Sequence, residues 1–409
     1  IMTLKDMDFK KSIVPIFILF FCLFMISVSR GMGESFGVFL LPLSDTFDWD
    51  RASVTSIYSV YMFSLGIGSL ISGIIFDKFG GKFNYVLGTL LLSCGYYISG
   101  YLNELWQFYI FLGVFSGLGA SMVGIIPSQS IISKWFNKKL SSALSIAYSG
   151  QGLGVLILAP LCQILISKYG WKTSYNLIGL FFFGILILLF FLPWKKINIG
   201  IYNSVDVSTN KLNDSSLFEA LRENTFWKFF LIYFFTAMGI FGISLQVVVY
   251  LIYCGFSDLE AALYFGLMGM LTFPGMALTG FAADIWPKHY VSTLSYILSL
   301  LGILSLYCIQ YSDLKYLIVF LFIIPFGLSD GAIGPIITTL IAKIFAGKGL
   351  ASIYGASNLG QGLGAALGAF ISGFLFDQFS NYNVGFFFCT LFTIIGALLF
   401  WLIPNIKKI

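Results

Sequence analysis

Three charged residues lie well inside long apolar runs of this sequence: Arg30, Glu34 and Asp330. If those runs cross a membrane, a central Arg costs at least about 2.5 kcal/mol on insertion scales, so each charge needs a partner, a water-filled cavity or a ligand. Arg30 and Glu34 are four residues apart, and a helix places them on the same side. One interpretation is a structural salt bridge that neutralises both charges. The other is that the planar guanidinium of Arg30 binds both oxygens of a substrate carboxylate, while Glu34 or Asp330 neutralises Arg30 in the empty site or carries a proton.

Five uncharged polar residues in other apolar runs could join such a site: Tyr58, Tyr61, Gln129, Gln246 and Tyr250. Hydrogen bonding between helices is the ordinary use of polar side chains in a membrane, and it is the alternative to substrate contact for each of them. Gln246 and Tyr250 stand one turn apart in an otherwise apolar run. We therefore expect these two to contact substrate before the others.

The composition is that of a membrane protein. Of the 409 residues, 58% are hydrophobic and 10% are charged, and the mean hydropathy is +0.92. No water-soluble fold could bury that much apolar surface, so we expect an all-α membrane protein in a lipid bilayer. Apolar runs of about 20 residues predict transmembrane helices, and twelve are found. They span 13–41, 52–76, 83–102, 106–132, 140–167, 173–193, 226–253, 259–283, 290–310, 316–342, 349–376 and 384–403.

The basic residues predict the orientation, because Lys and Arg collect in the cytoplasmic loops of membrane proteins. Most of the 23 Lys and Arg residues fall at the termini and in the even-numbered loops. Both termini are therefore expected in the cytoplasm, with the protein in a bacterial inner membrane or a plasma membrane. The net charge of +5 reflects this bias, so we expect no nucleic-acid partner.

The residues that serve metal sites and catalysis are sparse. The six cysteines are scattered without the spacing of a metal site or a disulfide framework, and the chain has one histidine. No set of nucleophile, base and acid is visible. We therefore expect no enzyme activity, no metal and no cofactor.

The longest hydrophilic stretch, 195–225, separates two halves of six predicted helices each, 1–194 and 226–409. Segment 134–154 aligns with segment 343–364, which pairs Gln151 with Gln361. A parallel duplication of this kind encloses a binding site near the membrane midplane that is reached alternately from each side. The architecture therefore favours transport over a channel or a receptor.

A short motif precedes the third run. Its spacing is GxxxDKxGxK, and its members are Gly73, Asp77, Lys78, Gly80 and Lys82. Glycines permit a tight turn and close helix approach, and an acid beside bases can form an ion pair that breaks and re-forms. The pattern resembles the signature of the major facilitator superfamily, and the second half keeps the acid as Asp284. The resemblance implies the major facilitator fold, with two pseudo-symmetric six-helix halves that these residues lock together on the cytoplasmic side.

A narrower resemblance covers most of the chain. Segments 30–40, 49–53, 134–136, 150–154 and 169–172, in that order, are similar to the monocarboxylate transporter and oxalate/formate antiporter group. This implies transport of small organic anions, usually monocarboxylates such as lactate or pyruvate, with a proton or by exchange. Members of the group carry basic residues in helix eight, and the oxalate exchanger also carries one in helix eleven, whereas neither run has a base here. Because Arg30 is the single cation well inside a run, we expect a monoanion as substrate.

Glycine clusters repeat in the two halves. Gly150 and Gly154 form one set, and Gly360, Gly364 and Gly368 form the other. Each set gives one smooth helix face for close packing, on helices that the resemblance places where one half slides past the other. We expect Gln151 and Gln361, the polar members of these stretches, to act in gating.

Two alternatives stay open. A different small solute, such as an amino acid, could be carried, since Glu34 or Asp330 could bind an ammonium while Arg30 binds the carboxylate. A nutrient sensor with a transporter-like fold is the alternative outside transport, although such sensors usually carry a long soluble segment. We expect a functional monomer that binds a small organic anion, with protons as the candidate coupling ion.

Overall fold

The computed structural model describes residues 4–49, 51–136, 139–194, 197, 217–244, 246–310, 312, 314–345 and 349–403. Within these residues the chain is helical apart from short turns. The transmembrane helices are α1 (Leu4–Glu34 and Gly37–Phe47), α2 with α3 (Arg51–Ser99), α4 (Leu105–Phe108, Tyr109–Phe115, Ser116–Val123 and Ile125–Trp135), α5 with α6 (Leu140–Tyr148 and Gly150–Phe191), α7 (Asn224–Ser244 and Val247–Tyr253), α8 (Asp258–Ile285), α9 (Lys288–Ile309), α10 (Lys315–Ser329 and Ile333–Ile344), α11 (Leu350–Phe379) and α12 (Tyr382–Trp401).

Two glycines turn the chain back between consecutive helices. In the part of the chain that the structure describes, nine helical stretches are long and apolar enough to cross a membrane. Two of these contain a glycine with positive φ, Gly80 (φ 79°) and Gly170 (φ 77°), which ends one helix and begins the next. Only glycine adopts this backbone conformation at no steric cost. When these two stretches are divided, eleven of the twelve predicted runs contain such a helix. The remaining run, 349–376, forms the glycine-rich helix α11 (Leu350–Phe379).

Each half has its own apolar core. One core is formed by buried residues between 18 and 197, joined by Met276 and Ala351. Two further cores lie within 220–403. The predicted linker 195–225 falls largely outside the described residues, and its end forms a short helix, Leu217–Arg222, whose Ala220 is buried in a core of the second half.

Helices α1, α4, α7 and α10 are each interrupted, whereas the sequence runs predicted continuous helices. In α1 the chain turns at Ser35 and Phe36, and in α4 it turns at Gly124, whose φ and ψ are −84° and −121°. In α10 the break contains Gly331 at a φ of 72°. Interrupted helices at a binding site expose backbone and polar side chains to a cavity. The four breaks therefore mark where a central site can form.

The glycine clusters pack helices tightly, mostly within a half. A methyl group on Gly154 would overlap the carbonyl of Ser27 in α1, and one on Gly364 would overlap the carbonyl of Phe234 in α7. The predicted glycine faces thus pack α5 on α1 and α11 on α7. The contact between the halves is made instead by an intervening glycine, Gly362, whose added methyl would overlap Gly66 of α2.

Candidate functional site

Arg30 and Glu34 occupy the last turns of the first piece of α1, directly before its break. Arg30 Nη2 and Glu34 Oε1 are 3.8 Å apart, which makes an ion pair longer than a hydrogen bond. The Arg30 side chain is 7% exposed and that of Glu34 is 23% exposed. Among the described residues, the buried Nε of Arg30 has no hydrogen-bond partner. The guanidinium therefore keeps donor capacity that an anion could use.

Two tyrosines of α2 lie against this pair. The hydroxyl of Tyr58 donates to Glu34 Oε2 over 2.8 Å. The rings of Tyr58 and Tyr61 are stacked with their centroids 5.8 Å apart. The Tyr61 hydroxyl is buried and has no partner within the described part of the chain. Tyr58 thus holds Glu34, while Tyr61 has a polar group to offer beside Arg30.

Asp330 lies at the break of α10, in the second half. The first piece of α10 ends directly before it, and Gly331 follows it in the break with a φ of 72°. Its side chain is half-buried. Contacts bring Arg30, Glu34, Tyr58 and Tyr61 together, and the role of Asp330 beside them stays a prediction.

Gln129 belongs to a buried polar cluster between the halves. Its Oε1 accepts hydrogen bonds from the hydroxyl of Tyr148 and from that of Thr338, the latter over 3.2 Å. Tyr233 adds a bond to the carbonyl of Gly334 over 3.1 Å. Gln129 is fully buried, and its Nε2 has no partner among the residues described. In this conformation Gln129 joins the two halves.

Gln246 and Tyr250 do not act as a pair. Gln246 lies at the break of α7, at the start of its second piece, and is half-buried. Tyr250 is fully buried, its hydroxyl donates to the carbonyl of Leu306 over 2.6 Å, and its ring packs edge-on against Phe386. The structure therefore places Tyr250 in the core of the second half rather than beside Arg30, because its hydroxyl satisfies a backbone acceptor of α9.

Asp77 binds the beginning of α11. Its two carboxylate oxygens accept the backbone N–H groups of Ala351 (3.2 Å) and Ser352 (2.6 Å). The first N–H groups of a helix lack partners within the helix and carry partial positive charge, so an acid stabilises them. Gly73 lies so close to Ala351 that a methyl group would overlap its carbonyl. The motif thus fixes α2 to the N-terminus of a helix in the other half.

Asp284 repeats this arrangement in the opposite sense. Its carboxylate accepts the backbone N–H groups of Ser141 (3.2 Å) and Ser142 (2.9 Å) at the start of α5, and also the Ser142 hydroxyl. A methyl on Gly280 would overlap the side chain of Ser145. Each half therefore holds a helix N-terminus of the other with one carboxylate.

The basic residues of the motif do not bond to Asp77. Lys78 Nζ lies 5.4 Å from the ring centroid of Phe79, and Lys82 Nζ lies 5.6 Å from that of Phe190. The base whose charge acts on Asp77 is instead Lys134 of α4. Gly80 provides the turn, so the motif contributes a turn, a close contact and an acid.

We call the side of the bundle that bears Gly80 and Pro287 the predicted cytoplasmic face. Further hydrogen bonds between the halves join Ser69 to the Gly355 carbonyl (2.8 Å), Ser133 to Tyr354 (2.8 Å) and Ser141 to Thr339 (3.1 Å). These bonds lie toward this face, as do those of Asp77 and Asp284. The halves are therefore closed together there.

The sequence prediction missed the partners of this closure, namely Ser141, Ser142, Ala351, Ser352, Tyr148 and Thr338. A usable signal was present, because the aligned repeat pairs Ser142 with Ser352. Gln151 and Gln361, predicted for gating, are half-buried among the glycines of α5 and α11. Their gating role stays a prediction.

The sequence matches the family model of the Major Facilitator Superfamily over residues 19–360. The chain belongs to this superfamily. Among its relatives, the uncharacterized MFS-type transporter YcxA of Bacillus subtilis (strain 168) is 26% identical, with 95% of each chain covered. Monocarboxylate transporter 13 of Bos taurus is 24% identical over 90% of this chain and 84% of the relative.

Solved structures of the Major Facilitator Superfamily share the fold. The proton:xylose symporter XylE bound to 6-bromo-6-deoxy-D-glucose superposes with a TM-score of 0.70 at 14% identity, covering 95% of this chain and 96% of that one. The E. coli fucose:proton symporter FucP gives a TM-score of 0.68 at 15% identity, covering 95% and 98%. The protein is thus an integral multi-pass membrane transporter of small solutes and not an enzyme.

Proposed function

We propose that this Major Facilitator Superfamily member carries small monocarboxylates, of the size of lactate or pyruvate, by alternating access. The observation that carries the proposal is Arg30, a buried guanidinium whose Nε has no partner among the described residues and whose counter-ion stands 3.8 Å away. A carboxylate that displaced Glu34 from Arg30 could accept two parallel hydrogen bonds. The similarity to monocarboxylate transporters supports this choice of substrate.

The arrangement of the halves supports a transport cycle. Because the predicted cytoplasmic face is closed, we infer that substrate reaches the site from the opposite side. With the termini in the cytoplasm, as the basic residues predict, this is an outward-facing state. Substrate binding at Arg30 would then precede release of the contacts made by Asp77 and Asp284.

The test is transport of labelled pyruvate into proteoliposomes by wild-type protein, R30K and R30A. Hydrogen bonds to charged groups contribute about 1.5–3 kcal/mol, and about 1.4 kcal/mol is tenfold in affinity. We therefore expect R30A to raise the pyruvate KM at least about tenfold. R30K should fall between R30A and wild type, because a point charge cannot replace the bidentate fork.

A matched control is R222K, since Arg222 is exposed and lies over the ring of Phe218, away from the site. If R222K keeps the wild-type pyruvate KM and both R30A and R30K are folded, the increase in KM is due to the loss of Arg30 itself. Unchanged pyruvate transport in R30A would show that the site lies elsewhere.

An amino acid is the second candidate, because Glu34 lies beside Arg30. Glu34 could bind the ammonium of an amino acid while Arg30 bound its carboxylate. Competition against pyruvate uptake decides between the two substrate classes. Lactate should compete and alanine should not, and the reverse ranking would favour the zwitterion.

A further inference from the structure

A small cavity lies inside the first half, beside the residues that hold Glu34. Helices α1, α2, α3, α4 and α6 all contribute to its wall. The wall is almost entirely ring and aliphatic carbon, and the free space is about that of one water molecule or one methyl group. A buried water needs two to four polar partners, so an apolar group suits this cavity better. The residues used below are Gly33, Phe36, Ile57, Tyr58, Tyr61 and Leu112.

Two tyrosines connect the cavity to the charged pair. Tyr58 lines the cavity and donates its hydroxyl to Glu34 Oε2 over 2.8 Å. Tyr61 lines it as well, and its hydroxyl lies so close to Gly33 that a methyl group on this glycine would overlap it. Gly33 follows Arg30 by three residues, or about one helical turn. A carboxylate bound to Arg30 therefore lies next to the cavity.

Two irregular turns shape this space. Helix α1 is interrupted at Ser35 and Phe36, and Phe36 lines the cavity. Helix α4 forms a π-helix over Tyr109–Phe115, and Leu112 of that turn lines the cavity from the other helix. π-helical turns are rare and are frequent at functional sites. The cavity thus lies where two helices deviate from regular geometry, as is typical of a binding site.

We propose that this cavity receives the carbon tail of the substrate whose carboxylate binds Arg30, and that its size restricts transport to monocarboxylates of two or three carbons. The inference rests on the proposed function. One methyl group fills the free space, whereas a longer tail overlaps Phe36, Ile57 or Leu112, which are buried in a close-packed core. The Tyr61 hydroxyl, which lacks a partner among the described residues, can donate to an oxygen on the second carbon of the acid.

The test compares wild type, L112A and L189A in proteoliposomes. Uptake of labelled pyruvate is inhibited with unlabelled pyruvate, 2-oxobutanoate and 2-oxopentanoate, which differ by one methylene each. Leu189 of α6 is buried in the same core and does not line the cavity, so L189A is the matched truncation. In wild type and L189A, 2-oxopentanoate should inhibit at least about tenfold more weakly than pyruvate. In L112A its inhibition constant should fall about tenfold, because the enlarged cavity buries two further methylenes.

Equal inhibition of wild type by the three acids would overturn the inference. It would also be overturned if folded L112A kept the chain-length preference of L189A. Wild-type protein that takes up no pyruvate and binds none of the three acids would instead reject the proposed function.

A milder pair of variants keeps the test decisive if L112A does not fold, since truncation of a buried leucine is costly. I57V removes one methyl group from the cavity wall, and I18V removes one from the same core away from the cavity. Both isoleucines are fully buried. I57V should lower the inhibition constant of 2-oxobutanoate about threefold to fourfold, and I18V should leave it unchanged. Equal inhibition constants in I57V, I18V and wild type would show that the tail binds elsewhere.

Discussion

At the scale of single residues, the site depends on which polar atoms already have partners. Arg30, Glu34 and Asp330 could be predicted from sequence, because an ionised group inside an apolar run is costly enough to be conspicuous. Tyr250 could not be distinguished from Tyr58 in this way, because both are tyrosines in apolar runs. Its hydroxyl finds a backbone carbonyl of another helix, and that contact exists only once the helices are packed.

The contrast between Tyr58 and Tyr61 gives a prediction about the empty protein. Y58F removes a hydrogen bond to a charged acceptor and should lower the free energy of unfolding by about 1.5 kcal/mol, the low end of the range for such bonds, because Glu34 is partly exposed. Y61F removes a buried hydroxyl that lacks a partner among the described residues, so stability should be unchanged or raised. Thermal unfolding of both variants in detergent, without substrate, makes the comparison. Equal destabilisation by the two changes would show that Tyr61 has a partner in solution.

At the scale of helices, the apolar runs predicted where the helices lie but not their interruptions. The runs 13–41, 226–253 and 316–342 read as single helices because the apolar pattern continues through each break. Asp330 and Gly331 form a dipeptide that favours a turn, so one break had a local signal. The break at Ser35 and Phe36 had no turn dipeptide of that kind.

A helix-scale prediction concerns Gly154, where α5 crosses α1 beside Arg30. A methyl there would overlap the Ser27 carbonyl and lie 3.0 Å from the Cα of Gly31. Overpacking of this kind costs about 1–3 kcal/mol, and α1 must shift next to Arg30 to relieve it. We therefore expect G154A to lower the melting temperature and to raise the pyruvate KM.

The matched control for G154A is G184A, because a methyl on Gly184 of α6 meets no atom within 4 Å. It should leave the KM at the wild-type value and the melting temperature unchanged or slightly raised, because alanine favours a helix over glycine. If G154A behaved like G184A, α5 and α1 would be further apart than the structure places them.

At the scale of the whole molecule, the duplication explains why each half contributes one carboxylate to the contact between the halves. Asp77 of the first half holds the start of α11, and Asp284 of the second half holds the start of α5. The sequence predicted that these acids would lock the halves on one side. It did not predict that their partners would be helix N-termini, since the neighbouring lysines were the more obvious partners for an acid. Backbone N–H groups are not marked by a side chain, so the available signal was the repeat that pairs Ser142 with Ser352.

Substitution of Asp77 and Asp284 should change the equilibrium between the closed and open states of the predicted cytoplasmic face. Asn keeps the size of Asp but loses the charge that favours a helix N-terminus, which is worth about 1 kcal/mol. Because Asp77 and Asp284 share no partner, the effects of the two substitutions should add. D77N/D284N should therefore favour opening of the predicted cytoplasmic face by about 2 kcal/mol. This raises the equilibrium constant for opening roughly 20- to 30-fold. The labelling rate of S133C by a maleimide measures this opening, since Ser133 meets Tyr354 across the closed interface. D45N in the S133C background is the control, since Asp45 is exposed, and it should be labelled at the rate of S133C alone. D77N or D284N alone in that background should be labelled about fivefold faster. Equal labelling rates for S133C and the triple variant D77N/D284N/S133C would mean that the carboxylates do not hold the halves together.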